Sequence, residues 1–388
     1  MTKYTERRAL RLLLISYGPT VLASNGYFNS VQSLKKVLRQ EFSLKSMEFV
    51  SEDENCREAD TSYVGISSKF LLQWLQICLC SVLSVGVIHD CELVMIEGSI
   101  FSPFALVSRL FKKKVIFDTH GMIVSMASRY RESALQNFRR KFLGFLLDKT
   151  ASLVSNVTVV TSSYDKDFAA NILKVDRRKL AIRAESIDPQ KIVLLSKTDR
   201  DKLRIQLGFS DSKINAIFVG DMRSIQNQTA VQFICDNIDL IPSNVNIIVV
   251  GRAKHLPSNH GNNLVFTGFV KDVNQYFETA DVLIAPLITG TGLKTKIIEA
   301  FAHGLPVITT EIGAEGIVTE DSDDIMTVAP SDFFEALKQF SRTHHKRERS
   351  VDLIRIYREN YSLEALKKSL EDIIYRIGFQ GGSSECYE

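Results

Sequence analysis

Six cysteines, Cys56, Cys78, Cys80, Cys91, Cys235 and Cys386, form no CxxC pair and keep no metal-ligand spacing with histidine. That excludes a zinc finger and a disulfide framework and fits a reduced, cytoplasmic setting. Charge of one sign is also scarce. Lys and Arg number 48 against 45 Asp and Glu, a net charge of +3 that is too small to imply a nucleic-acid partner. Arg7, Arg8 and Arg11 precede only a short apolar run, Leu12 to Ile15, so no cleaved leader is expected. The longest uncharged run, FLLQWLQICLCSVLSVGVI, covers the 19 residues from Phe70 to Ile88. Gln73, Gln76, two serines and an immediately following strand make it a buried or interfacial helix rather than a membrane span.

Several nucleotide fingerprints are missing too. No GK[ST] marks a P-loop, and the one informative GxG lacks the third glycine and the later acidic residue of a dinucleotide site, which argues against a dehydrogenase. No DxD-like metal motif is convincing, and His344-His345 has no partner motif that would make it a metal site.

What is there is ordinary for a globular protein: 45% apolar and 24% charged residues over 388 positions. That length suits two domains of roughly 150 to 200 residues each. In the first, apolar runs at Leu12 to Ile15, Leu93 to Glu97, VIFD at 115–118, Val157 to Thr161 and Leu180 to Arg183 read as strands. In the second, Asn215 to Val219, Val245 to Val250, Leu264 to Thr267, Val282 to Pro286 and Val307 to Thr310 repeat the pattern. Strands alternating with helical segments specify doubly wound parallel sheets, two Rossmann-like domains facing a cleft. The expected boundaries are 1–198, 199–360 and a last helix over 361–380. The polar stretch from Ser196 to Arg204 reads as the interdomain connection.

The most informative stretch is Asp281 to Ile317, DVLIAPLITGTGLKTKIIEAFAHGLPVITTEIGAEGI. It reads as strand, loop, helix and strand, with Gly304 placed as a helix C′ glycine and Pro306 blocking continuation. The loop Thr289-Gly290-Thr291-Gly292-Leu293-Lys294 thus lies at the carboxyl end of a strand and the amino end of a helix, where open α/β sheets bind ligands. Two glycines let backbone approach an anion, the helix dipole favours negative charge, and Lys294 with Lys296 adds formal charge. A phosphate or diphosphate fits. Glu299 lies one turn in, on the side shared with Thr295 and His303, where a carboxylate accepts hydrogen bonds from the two hydroxyls of a ribose. A plain Gly-rich turn and a dipole-pairing Glu remain open alternatives.

The string GTGLKTKIIEAFAHGLPVITT, with the following GAEGI, resembles the donor-site signature of GT-B glycosyltransferases, specifically the large retaining family 4 (glycosyl transferases group 1). The resemblance implies a glycosyltransferase using a nucleotide-sugar donor and a glycan or lipid-linked acceptor, with retention of configuration and no metal or other cofactor, in polysaccharide or glycoconjugate synthesis. The second glutamate of that family's E-x7-E pattern holds the donor ribose, and Glu299 falls on it. The first would fall at Thr291, a departure at a position near the donor sugar. The last helix, after Tyr361-Ser362, is expected to cross back to the first domain.

The same resemblance places other residues. Gly26, in the first βα loop, would bring backbone to the donor diphosphate, although a plain turn fits as well. His120, in DTHG at a strand's carboxyl end, would face the reacting sugar; a structural histidine is the alternative. Gly220 and FVGDMRSIQNQTAVQFI resemble the opening loop of the nucleotide domain, whose usual Arg/Lys clamp is incomplete here. Arg223 is the best-placed replacement beside Lys294, with Arg252 after Gly251 also available. The base is expected near the first turn, with Phe269 and Val270 reading its edge unless Phe269 merely packs in the core.

From Arg129 to Lys149 the chain is basic, with Leu135, Phe138, Phe142 and Phe145 as an apolar stripe beside Arg139, Arg140 and Lys141. Packing on its own domain is one reading; peripheral docking to an anionic inner-membrane surface is the other. Two further functional readings stay open. A noncatalytic GT-B partner subunit would fit the replaced glutamate and incomplete clamp, and sugar-nucleotide epimerases share the fold.

Overall fold

Alternation of short β-branched runs with amphipathic segments builds two parallel sheets. The computed structural model describes residues 10–17, 25–51, 61–66, 70–119, 134–186, 195–209, 212–252, 263–290, 292–319, 322–343 and 349–379. The chain divides into two compact units, residues 1–184 with 366–388, and residues 185–365. Each unit has its own sheet, and every strand pairing within them is parallel.

The first unit contains β1 (Arg11–Tyr17), β2 (Ser43–Ser51), β3 (Thr61–Ile66), β4 (Leu93–Glu97), β5 (Lys114–Asp118), β6 (Val157–Val160) and β7 (Leu180–Ile182). They lie in the order β3-β2-β1-β4-β5-β6-β7. This adds β2 and β3 to the five strands expected. The reason is visible in Glu48 of β2: it is buried and forms an ion pair with the equally buried Lys35 of the helix Asn25–Glu41. A strand that keeps a charge inside by pairing it does not show the apolar run used to find strands.

One face of this sheet is covered by the helices Phe70–Leu83, Val85–Asp90, Ser102–Leu110 and Ala134–Val154, with Ile77, Ile88, Phe104 and Ala151 packing against Val94, Ile96, Val115 and Phe117. The uncharged run 70–88 is therefore two helices broken at Ser84, not one. No helix among the described residues is long and apolar enough to cross a membrane. At the carboxyl end of β5, Asp118 pairs with Arg183 at 2.6 Å with neither side chain exposed to solvent. From the last helix, Leu363–Arg376, Ser369 accepts from the Ala184 amide at 3.2 Å and Lys367 pairs with Glu41 at 2.6 Å.

The second unit contains β8 (Ile214–Val219), β9 (Val245–Val250), β10 (Leu264–Gly268), β11 (Val282–Ala285), β12 (Val307–Thr310) and β13 (Ile325–Val328), in the order β10-β9-β8-β11-β12-β13. The half-exposed edge strand β13 is the one not expected. Apolar side chains fill both faces: Ile217, Leu283, Ile297 and Phe301 on one, Phe218, Ile284, Phe333 and Leu337 on the other.

Residues 196–204 prove to be more than a connection. Ser196 caps a helix, Lys197–Gln206, by accepting from the Asp199 amide. From that helix Arg204 reaches the carboxylate of Asp281 through two bonds, at 2.9 and 3.3 Å, and donates to the Thr279 carbonyl at 2.6 Å. Asp281 also accepts from the Asn215 amide at 2.8 Å, so one buried carboxylate joins this helix to the starts of β8 and β11.

Candidate functional site

In the second sheet the chain runs outward from β8 through β9 to β10, then returns to the other side of β8 as β11. Strand order therefore reverses between β8 and β11, and ligands of open α/β sheets bind at the carboxyl ends of the strands at such a reversal. The loops that leave those two ends are 220–224 and 286–294. Each leads into a helix, Ile225–Asp236 and Thr295–Ala302, whose N-cap residue, Ser224 or Lys294, makes no side-chain capping bond. Both positive helix ends are thus directed to the reversal point.

Gly290 and Gly292 have φ of +126° and +71°, conformations that side chains bearing Cβ rarely adopt. The loop rests on the neighbouring helix: the hydroxyls of Thr289 and Thr229 lie 3.0 Å apart, and a Cβ at Gly290 would fall 2.3 Å from Gln226 Oε1. Lys294 is buried, its ammonium 2.5 Å from the Gly292 carbonyl. Glu299, one turn further, is half-buried beside half-buried Thr295. Thr291, at the centre of the loop, lies outside the described residues.

Lys296 departs from the expectation that it adds a surface charge to the loop. Its side chain points beneath it, with Nζ donating to Asn227 Oδ1 at 2.7 Å and lying 4.0 Å from the Phe218 ring centroid. Burial, reinforced by the nearby Lys294 and opposed by Glu299, pulls its pKa down from 10.5 to about 7. Asn227 is the site residue that sequence reasoning missed. An uncharged asparagine within SIQNQT carries no pattern that distinguishes it from its neighbours.

The other anticipated residues sit along the same strand ends. Met222 donates its amide to the Arg252 carbonyl at 3.0 Å, and Gly251 to the Gly268 carbonyl at 3.1 Å, lacing the ends of β8, β9 and β10 together. Gly251 has φ +141°, and a Cβ there would lie 1.9 Å from the Gly220 carbonyl oxygen. Gly251 is therefore needed by backbone contact, whereas a Cβ at Gly220 would lie 2.7 Å from the Asn227 side chain. Arg223 forms a 2.6 Å ion pair with Asp221, two residues away. Burial disfavours the charged form of Asp221, but hydrogen bonds from Arg223 and the charges of Arg223 and Arg252 outweigh it, and its pKa lies below the ordinary carboxylate value.

Phe269 is 67% exposed rather than packed in the core, and the Arg252 guanidinium stands over its ring at 5.4 Å. Val270 is half-buried and packs on the core beneath. Gly220, Arg223, Gly251, Arg252, Phe269, Val270 and the loop 289–294 thus share one edge of the second sheet. Gly26 is the second residue of the helix Asn25–Glu41 in the first unit, and His120 lies outside the described residues.

His303, placed by its spacing on the Glu299 side, is fully buried. It stacks on Phe277 at 5.4 Å between ring centroids and its Nδ1 lies 2.5 Å from Glu278 Oε1. Glu278 also accepts from the Leu195 amide at 3.1 Å, and Arg349 donates to the Phe277 carbonyl at 2.9 Å. Burial alone would raise the Glu278 pKa; the His303 hydrogen bond, the amide and Arg349 together hold it below the ordinary value. This network fixes the far end of the site helix.

Two parallel doubly wound sheets with an anion-adapted loop at a strand reversal define the GT-B class of glycosyltransferase folds. Within it, residues 213–342 match the family model described as glycosyl transferases group 1. Solved structures similar over nearly the whole chain include sucrose-phosphate synthase from Thermosynechococcus elongatus, with 14% identity, 95% of this chain and 99% of that one covered and a TM-score of 0.71. Anabaena HepE in complex with UDP gives 13% identity, 94% and 100% coverage and a TM-score of 0.72. WaaG, described as a glycosyltransferase involved in lipopolysaccharide biosynthesis, gives 13%, 95%, 100% and 0.65. No curated protein sequence matches the chain.

Proposed function

We propose that this protein transfers a sugar from a nucleotide-sugar donor to a glycan or lipid-linked acceptor with retention of anomeric configuration, in cell-surface polysaccharide or glycoconjugate synthesis. The observation that carries the reading is the loop 289–294. Its glycines adopt left-handed backbone beside Lys294, at a helix N-terminus where strand order reverses. The HepE structures with UDP and with UDP-glucose support a nucleotide-sugar as the ligand class.

Breaking the bond between an anomeric carbon and a diphosphate places negative charge on the leaving oxygen, and stabilising that charge is the main electrostatic task. In this proposal the loop amides, the helix end and Lys294 meet that charge, and no metal is required. Glu299 accepts from the ribose hydroxyls, and Phe269 and Val270 border the base. The acceptor hydroxyl attacks from the face the leaving group departs, and the leaving phosphate takes its proton. His120 orients the sugar. Contact with an anionic membrane through the basic segment 129–149 belongs to the same proposal.

A noncatalytic partner subunit is the second reading, favoured by the pairing of Arg223 with Asp221. The two separate in one assay: purified protein incubated with nucleotide-sugars and candidate glycan or lipid-linked acceptors. Acceptor-dependent release of nucleoside diphosphate, with the new linkage keeping the donor's anomeric configuration by NMR, supports transfer. Donor binding without release under any acceptor supports the partner reading, and product from donor alone indicates epimerisation.

A further inference from the structure

Three helices covering one face of the first sheet turn apolar side chains outward as well as inward. In Phe70–Leu83, Ile77 enters the core while Leu72, Leu75, Leu79 and Val82 recur on the outer face at helical spacing, each about half exposed or more. Next to it, Ser102–Leu110 leaves Leu106 outside and Leu110 80% exposed. Beyond that, Ala134–Val154 buries Leu147 and Ala151 but exposes Phe138, Phe142, Leu146 and Leu153. The Phe138 and Phe142 rings stack nearly parallel at 6.3 Å and are both more than half exposed. The stripe Phe138, Phe142 and Phe145 is thus not the surface by which this helix packs on its own domain.

These helices are neighbours: Ser102–Leu110 packs against both Phe70–Leu83 and Ala134–Val154. Their outer sides form one apolar surface rather than scattered exposed residues, and a contiguous patch of that kind marks an interaction site. Among the described residues its charge is mainly cationic, although Asp90 of the adjoining helix Val85–Asp90 is also exposed. Exposed Arg109, Lys112, Lys114 and Lys141 accompany it, whereas the sole acidic residue on the three helices, Asp148, is buried.

We infer that this three-helix face lies on a lipid bilayer containing anionic headgroups, with the leucine and phenylalanine side chains in the headgroup–acyl boundary and the basic side chains against lipid phosphates. Apolar burial with cationic flanks is the chemistry of interfacial binding. A second copy of the same face fits less well, because a two-fold contact would set the cationic flanks against each other. The inference extends the membrane contact proposed above from one helix to three, and includes the uncharged helix 70–83.

Flotation of the purified full chain with phosphatidylcholine vesicles, with and without phosphatidylglycerol, tests this separately from donor binding. Association is expected with the anionic vesicles and should weaken as salt is raised. The exposed-site variant Leu79→Ser/Phe142→Ser should keep its melting temperature and any stabilisation by nucleotide-sugar, yet lose roughly tenfold or more of the vesicle affinity. Retained donor binding with lost flotation supports the face, whatever the transfer assay shows. Absence of flotation in the parent protein, flotation unchanged in the variant, or conversion of a dimer to a monomer by the two substitutions would overturn the inference.

Discussion

Lys296 Nζ donates to Asn227 Oδ1 at 2.7 Å, and Asn227 Nδ2 donates to the Asp221 carbonyl at 2.9 Å. One buried amide thereby ties the helix after β11 to the loop after β8. The two halves of the proposed anion site are positioned by a contact beneath it.

If nucleotide binds at the proposed site, that contact makes its binding pH-linked. With its pKa near 7, Lys296 is partly neutral at neutral pH. A diphosphate placed above it favours the ammonium, so binding at about pH 7.5 takes up a fraction of a proton. Calorimetry in buffers of different ionisation enthalpy measures the uptake, which Lys296→Met should abolish. Identical uptake in the variant would locate the linked group elsewhere.

Folding carries the opposite signature. Between the folded pKa of about 7 and the ordinary 10.5, the unfolded chain holds the proton that the folded chain has released. Stability from this group therefore rises as pH rises through that window and is lost as pH falls toward 7. Denaturant titrations of the parent and Lys296→Met from pH 6.5 to about 9 should show the parent gaining stability relative to the variant as pH rises above 7.

Gly251→Ala places a methyl group 1.9 Å from the Gly220 carbonyl at a backbone φ of +141°. Relief requires moving the end of β9 away from β8, and a loss of at least about 2 kcal/mol is expected. Gly292→Ala meets no atom within 4 Å, but its φ of +71° still imposes strain. Urea unfolding should rank Gly251→Ala as the more damaging of the two.

Asp281→Ala leaves the guanidinium of Arg204 buried without its carboxylate. A loss of about 3 to 5 kcal/mol is expected, and Arg204→Met combined with Asp281→Leu should recover much of it. Thermal unfolding of the three proteins checks the order. A single variant as stable as the parent would show that the pair does not join the helix 197–206 to the sheet.

Asp221→Asn should strengthen nucleoside-diphosphate binding several-fold, because it removes a negative charge from the proposed anion site and releases the 2.6 Å hold on Arg223. Arg223→Ala should weaken it. Equal affinities in parent and both variants would remove Arg223 from the site.

The two-sheet plan was legible because most strands are predominantly apolar, β-branched runs, as in Val245–Val250, VNIIVV, and Val282–Ala285, VLIA. Strands β2 and β13 escaped for different reasons: β2 buries Glu48 against a lysine 13 positions earlier, and β13 is a half-exposed edge. The loop 289–294 was legible through its glycines and its place between strand and helix. The fate of its cations was not. Lys294 and Lys296 look alike in LKTK, yet the extended N-cap position sends one ammonium back to its own loop and the second helical position sends the other under it to Asn227. The stripe at 138, 142 and 145 had the periodicity of a packing surface, but periodicity does not say which side of a helix with apolar residues on both faces meets the sheet.

Thermal stabilisation by a panel of UDP-, GDP-, ADP-, dTDP- and CDP-sugars, measured on the parent, Glu299→Ala and Lys294→Ala, tests the donor site most directly. At about a hundred times its dissociation constant one ligand should stabilise the parent by about 2.7 kcal/mol. Both variants should melt near the parent without ligand and lose most of the shift with it. A panel that leaves the parent's melt unmoved, or the parent's full shift in both variants, would contradict the assignment of the loop 289–294 and Glu299 as the donor site.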